Sequence, residues 1–179
     1  MLTMKAKYAL RAMCALARAE GGRLPADSAY APRHGRLQAR AIAEHSGAPG
    51  KFLESILVDL REAGFIDSRR GQKGGHALAR PADQIMVGDL IRAIDGPLAP
   101  VRCASVSAYQ PCADCPDPDA CSLRALMREA RDALSSVLDR RSLHELALAP
   151  DFGAAALDPA LLDATFLPVA TLAYGGDRA

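Results

Sequence analysis

Between Leu37 and Leu78 the chain passes from helical hydrophobic periodicity to a basic, glycine-rich stretch, and this restricts the fold more than any other feature. Leu37 to His45 reads as a short helix, Ser46-Gly47-Ala48 as a turn, and Pro49 as the first position of a second helix, where a missing N–H costs nothing. In that second helix Leu53, Ile56, Leu57 and Leu60 form one apolar stripe, and Gly64 supplies the stop. Phe65 to Leu78 then reads as two short strands around a basic, glycine-rich turn. Two helices joined by a short glycine turn make a helix-turn-helix, and the hairpin behind them is the expected form of a wing. The predicted fold class is mainly α with a small β wing: a winged helix-turn-helix plus a long C-terminal dimerisation helix.

The flanking segments fit this frame. From Lys5 to Ala19 the stripe of Leu10, Met13, Cys14 and Ala17 predicts an amphipathic helix ended by Gly21-Gly22. Cys14 lies on the stripe and reads as a small buried hydrophobe, outside any site. Residues 22–37, with Pro25, Pro32 and Gly35, read as a loop, and Val87 to Asp95 as a further helix ended by Gly96-Pro97. Beyond it, Leu123, Leu126, Met127, Ala130, Ala133, Leu134, Val137 and Leu138 predict a long helix reaching about Arg141. Its apolar face exceeds what a small winged domain can cover, so its economical place is against its own copy across a two-fold axis, and a homodimer is expected. Burial within the chain's own core is the alternative. The expected organisation is a winged DNA-binding domain over 1–96, a cysteine-rich loop over 97–121, a dimerisation helix over 122–146 and a tail without identifiable chemistry over 147–179.

At 179 residues with 50% hydrophobic content, the chain can bury one core with an appendage. No window approaches about 20 uninterrupted apolar residues, and Arg11 and Arg18 interrupt the first helix, so neither a membrane span nor a signal-peptide core is expected. The expected location is the cytoplasm. Charge is divided unevenly: residues 1–96 carry 15 Lys and Arg against 10 Asp and Glu, and residues 97–179 carry 7 against 11. The first part is therefore the polyanion-facing part, and double-stranded DNA the expected partner.

Recognition helices read the major groove with their N-terminal residues, which singles out Lys51, Glu54 and Ser55 opposite the apolar stripe. Lys51 suits phosphate or guanine, and Glu54 can accept from a cytosine amino group or reject wrong sites by repulsion. On the wing, Arg69, Arg70 and Lys73 suit phosphates or a narrow minor groove. An ordinary solvated hairpin is the competing reading, weakened by its place directly after a helix-turn-helix. His76 reads as a strand residue rather than a ligand. A dimer of such domains predicts a pseudo-palindromic operator with half-sites about one helical turn, or a multiple of it, apart.

Four of the five cysteines, Cys103, Cys112, Cys115 and Cys121, fall within nineteen residues just before the long helix. In a reducing compartment such a cluster argues for metal or redox chemistry over a disulfide framework. Cys121 sits near a helix N-terminus, where the positive end of the dipole favours a thiolate ligand. Four thiolates suit both tetrahedral zinc and an iron-sulfur cluster. Structural zinc sites tend to pair two Cys-x-x-Cys knuckles, and only Cys112 to Cys115 is one here, so the spacing leans toward a cluster with zinc or a thiol redox switch as alternatives. Asp114, Asp117 and Asp119 would add negative charge around a cluster, or serve equally as turn and capping residues. A thiol-disulfide oxidoreductase built on Cys112 and Cys115 lacks the surrounding βαβ pattern, and no nucleophile and base arrangement or phosphate loop supports another enzyme.

The opening Lys5-Ala6-Lys7-Tyr8-Ala9-Leu10-Arg11, the run Phe52-Leu53-Glu54 through Leu60-Arg61-Glu62-Ala63-Gly64-Phe65-Ile66, the wing Arg70-Gly71-Gln72-Lys73-Gly74-Gly75-His76, and Leu78-Ala79-Arg80-Pro81 followed by Ile94-Asp95-Gly96 are similar to the Rrf2 family of bacterial winged-helix transcription regulators. The resemblance runs from residue 1 to about 146. It implies a homodimer held by the long helix. In the branches regulating iron-sulfur assembly, nitric oxide response and rhizobial iron it also implies a cluster, 2Fe-2S foremost here, held by three cysteines of this loop. Carried over by position, those ligands are Cys103, Cys115 and Cys121. The position of the assembly regulators' histidine ligand is Arg124, and that of the nitric oxide regulators' carboxylate is Lys7, neither of which suits the role. Cys112 is then the natural fourth ligand.

Overall fold

The structure, a computed structural model, describes residues 2–24, 32, 34–71, 73–115 and 117–149. The tail over 150–179 and most of the loop before Arg36 lie outside the described residues. Six helices and one hairpin follow in the order α1 (Met4–Glu20), α2 (Ala39–Ser46), α3 (Gly50–Glu62), β1 (Ile66–Arg69), β2 (Gly75–Leu78), α4 (Val87–Asp95), α5 (Ser122–Leu138) and α6 (Leu143–Leu148).

Helix α1 is the centre of the core. Ala6, Ala9, Ala12, Met13, Ala15, Leu16 and Ala17 are buried along it, and so many alanines let α2, α3, α4 and α6 approach closely. Thr3 begins the helix by accepting from the Ala6 N–H at 3.2 Å, and Asp95 at the end of α4 accepts in turn from the Thr3 N–H at 2.8 Å. Tyr8 meets Phe52 edge to face at 5.9 Å, and Lys5 pairs with Asp59, so α1 also fixes the outer face of α3. Around this helix Leu37, Ile42, Leu53, Ile56, Leu60, Ile85 and Leu90 complete an apolar interior.

The helix-turn-helix turns at Gly47, whose φ of 66° is left-handed and suits glycine. The buried Ser46 hydroxyl bonds the Ala43 carbonyl at 3.3 Å and accepts from the Ala48 N–H at 3.2 Å, fixing the angle at which α3 leaves. Pro49 caps α3 with extended backbone, ψ 134°, one position before the helix it was expected to begin.

Three features differ from the sequence expectation. Leu37 does not start α2. It forms an antiparallel bridge to His76 (Leu37 N–H to His76 O at 2.9 Å, His76 N–H to Leu37 O at 2.8 Å), adding a short third rung to the wing sheet. The long helix stops at Leu138, because Asp139 turns toward α4 and Ser142 with Glu145 forms a capping box that begins α6. Helix α6 then returns to α1, where Arg18 donates to the carbonyls of Ala147 at 3.0 Å and Ala149 at 3.4 Å, a cation placed at a helix C-terminus. The helix expected to reach Arg141 within the 122–146 segment is thus two helices with opposite attachments.

Helix α5 is built differently from the rest. None of its residues is buried. It is tied to the winged part through Arg92 of α4, which grips Asp139 with two bonds of 2.7 Å. The carboxylate lies so close over Gly88 that a Cβ there would fall 1.9 Å from it. Among the described residues no helix is long and apolar enough to cross a membrane.

Candidate DNA interface and thiol centre

Lys51, Glu54 and Ser55 stand exposed on the first turns of α3, while Phe52 turns inward against Tyr8. The periodicity that buries Leu53, Ile56, Leu57 and Leu60 necessarily presents these positions to solvent. Ser55 donates to the Phe52 carbonyl at 2.8 Å, leaving its oxygen an acceptor for an outside partner. No side chain caps α3, so its first N–H groups are open to an anion such as phosphate.

The wing displays Arg69, Arg70 and Lys73 around its tip, all exposed. The tip is tight: a Cβ on Gly74 would lie 2.3 Å from the Arg69 carbonyl. Gly75, with φ of 133°, passes so close to Leu37 that a Cβ would meet its carbonyl oxygen at 2.6 Å. Arg36, which sequence reasoning passed over as loop, and Gln38, which it placed inside the helix, hold this wing down. Arg36 pairs with the Asp67 carboxylate and donates to the carbonyls of Asp67 at 3.0 Å and Gly75 at 3.3 Å, and Gln38 donates to the Gly74 carbonyl at 2.8 Å. The polar-apolar-polar alternation of Arg36-Leu37-Gln38 was the available signal. The hydrogen bond from Arg36 holds the Asp67 carboxyl below its usual range. His76 sits on β2 within 2.8 Å of the Ser68 hydroxyl, and burial, with Arg36 and Arg61 nearby, keeps its imidazole below its ordinary pKa.

The thiol segment lies at the start of α5. Cys121 is the cap of that helix, its sulfur accepting from the Arg124 N–H at 3.4 Å. Cys103 lies in the middle of a short 3-10 turn (Arg102–Ala104) and is half-buried, as are Cys115 and Cys121, while Cys112 is exposed. Cys112 lies beside Cys103 and Cys115 beside Cys121, and Cys115 also feels the charge of Cys103. A hydrogen bond with Cys103 is the main cause raising the Cys112 thiol, with Asp114 adding to it. Burial raises Cys115, followed by the charge and hydrogen bond of Cys121. Among the described residues no three His, Cys, Asp or Glu side chains converge tightly enough to enclose an ion. The donor set fits a four-thiolate centre in number and kind, and a metal would draw the two pairs together. Cys14, expected outside the site, lies on α1, half-buried against the core.

Sequence reasoning missed what orders this segment. Arg124 reaches back to the Cys103 carbonyl, and Arg131 to the Ala104 carbonyl, across 21 and 27 positions of the chain. Asp117 caps the turn before α5 by accepting from Asp119 N–H at 2.9 Å, the turn-forming role foreseen as one of its two readings.

Comparison with known proteins agrees with this geometry. The pattern of the Rrf2 family, described as Iron-dependent Transcriptional regulator, matches residues 2–149. An rrf2-like HTH-type transcriptional regulator of Rhodobacter capsulatus is 40% identical over 146 residues, covering 82% of this chain and 91% of the relative. The HTH-type transcriptional regulator IscR of Cronobacter sakazakii is 33% identical over 145 residues, covering 81% and 78%. Among solved structures, CymR, the global cysteine regulator of B. subtilis, superposes with a TM-score of 0.60 at 30% identity, covering 82% of this chain and 95% of that one.

Proposed function

The chain belongs to the Rrf2 family of winged-helix, DNA-binding transcriptional regulators, which are not enzymes, and from that premise we propose that it is a homodimeric repressor whose hold on DNA is governed by an iron-sulfur cluster on Cys103, Cys112, Cys115 and Cys121. What supports the reading is that four cysteines share one segment at the start of α5, Cys112 beside Cys103 and Cys115 beside Cys121, on a helix that has no buried residue. Bound there, a 2Fe-2S cluster would supply a centre able to register iron, nitric oxide or redox state. Lys51, Glu54 and Ser55 of α3 read base edges, and Arg69, Arg70 and Lys73 of the wing bind the backbone of a pseudo-palindromic operator. Ordering of the thiol segment fixes the start of α5, and α5 sets the separation of the two recognition helices across the dimer axis. Operator affinity then follows the population of the ordered state.

The test is the visible spectrum of anaerobically purified protein with iron, sulfide and zinc analysis, beside a Cys112→Ala variant. Iron and sulfide with a chromophore weakened in the variant support the reading. A colourless protein with stoichiometric zinc overturns it. The pairing of Cys103 with Cys112 and of Cys115 with Cys121 favours a second reading, a thiol redox switch in the same regulator, recognised by a colourless, metal-free protein whose operator affinity changes on oxidation.

A further inference from the structure

Arg124 lies on the first turn of α5, yet its side chain points back under the thiol segment with 17% of its surface exposed. Its Nε donates to the Cys103 carbonyl at 3.0 Å, and its Nη1 donates to the Pro118 carbonyl at 3.0 Å and the Asp119 carboxylate at 2.8 Å. The Tyr109 ring covers the guanidinium at 5.6 Å, and the backbone N–H of the same residue binds the Cys121 sulfur. One residue is therefore bonded to both ends of the segment that carries the four thiols. Arg131 tethers only the Cys103 end, through the Ala104 carbonyl. A guanidinium suits the double task because its donors leave a rigid plane in fixed directions, whereas an ammonium is a single point.

From this geometry we infer that Arg124 is the positioning residue of the thiol segment, clamping the Cys103 end to the Cys121 end and so fixing the spacing of those two cysteines before any metal arrives. Arg124 ligates nothing itself. The clamp rests on the proposed metal reading only for its consequence, a site preorganised for loading, and its geometry is complete without metal.

The test uses the full-length, reduced, metal-free protein under anaerobic conditions, with limiting N-ethylmaleimide and mass spectrometry following each cysteine. In the parent protein Cys112 labels first, and Cys103 and Cys121 lag. In Arg124→Ala the rates at Cys103 and Cys121 rise about tenfold, the scale of a lost charge-assisted hydrogen bond, while Cys14 in the core keeps its rate and reports that the fold is intact. Arg124→Lys restores the charge without the fork, and so restores protection at no more than one end. Unchanged rates at both ends in Arg124→Ala, or full protection at both in Arg124→Lys, overturn the inference. The same three proteins are then given ferrous iron and sulfide. A missing chromophore in the parent alongside the expected labelling removes the cluster reading and leaves the clamp, whereas a chromophore in all three with identical labelling removes the clamp and leaves the cluster.

Discussion

In the winged part Met13, Ile42, Ile56, Leu60 and Leu90 are all but excluded from solvent, whereas on α5 Leu123, Leu126, Leu134 and Val137 stand 47 to 63% exposed. Both regions carry the same helical periodicity, and among the described residues only the first finds a surface to cover it. The difference teaches that an apolar stripe specifies a helix without specifying its partner: α1, α3 and α4 close a core, while the stripe of α5 stays open to solvent. The polar contacts divide likewise. Those of the winged part lock turns and caps, and those of α5 include guanidinium bridges to part-buried carbonyls of the thiol segment, which hold a helix in place without burying it.

The strongest way to break the comparison is to truncate one leucine on each side. Leu60→Ala, at a fully buried position, should cost about 3 kcal/mol of stability in urea or guanidinium titrations. Leu126→Ala should cost less than about 1 kcal/mol in dilute protein, since an exposed side chain has little burial to lose. It should nevertheless shift self-association to higher concentration in sedimentation equilibrium. Equal costs for the two, independent of concentration, would place α5 within the monomer's own core.

A smaller effect separates two glycines of the wing. Gly75→Ala combines a φ of 133° with a Cβ 2.6 Å from the Leu37 carbonyl, so it should cost about 2 kcal/mol and loosen the Leu37–His76 rung. Gly71, at φ of 97°, has open space around its missing Cβ, and its alanine variant should cost about 1 kcal/mol through backbone strain alone. Thermal melts that rank them in the opposite order would remove close packing against Leu37 as the reason for Gly75.

The pH dependence distinguishes the regions next. His76 is held neutral in the folded wing, so its contribution is intact above the ordinary value of 6.5 and is lost as pH falls through 6.5, where the unfolded chain takes up a proton that the folded chain resists. Asp139, held down by its hydrogen bond from Arg92, works in the other window. Its contribution is present above the ordinary 3.8 and disappears only as pH falls through its lower folded value. Mild acid should therefore weaken the wing before the α4–α5 latch, and His76→Gln should flatten the stability profile between neutrality and mild acid. A profile that keeps its slope in that variant assigns the loss to other groups.

How much of this was legible in the sequence depends on the range of the cause. The stripe Leu53, Ile56, Leu57 and Leu60, the stop at Gly64 and the glycine hairpin are local patterns, and each appears where it was expected. The end of α5 was also written locally, in Ser142 and Glu145 at capping-box spacing, but it was hidden inside a continuous apolar pattern. The pairs Arg92–Asp139 and Arg124–Cys103 have no local signature, because nothing in the neighbourhood of either arginine says which of many carbonyls or carboxylates the fold will bring within reach. The cysteine spacing marks the thiol segment without the fold, while the bonds from Arg124 and Arg131 to its backbone appear only in the structure.

The finest test asks whether the exposed charges of the wing act on DNA at all. Asp67 already occupies part of the local positive charge, lying 3.7 Å from Arg69 and paired with Arg36, so a phosphate approaching Arg69 would meet a carboxylate beside it. Arg70 lies one residue farther toward the tip, beyond the strand pairing. Arg70→Ala should therefore leave stability unchanged and reduce the slope of log affinity against log salt by about one per subunit, the signature of one lost phosphate contact. The loss should be uniform across operator sequences, because phosphates carry no base identity. A change in sequence preference with an unaltered slope would move Arg70 from the backbone into a groove, and the wing would then share base reading with α3.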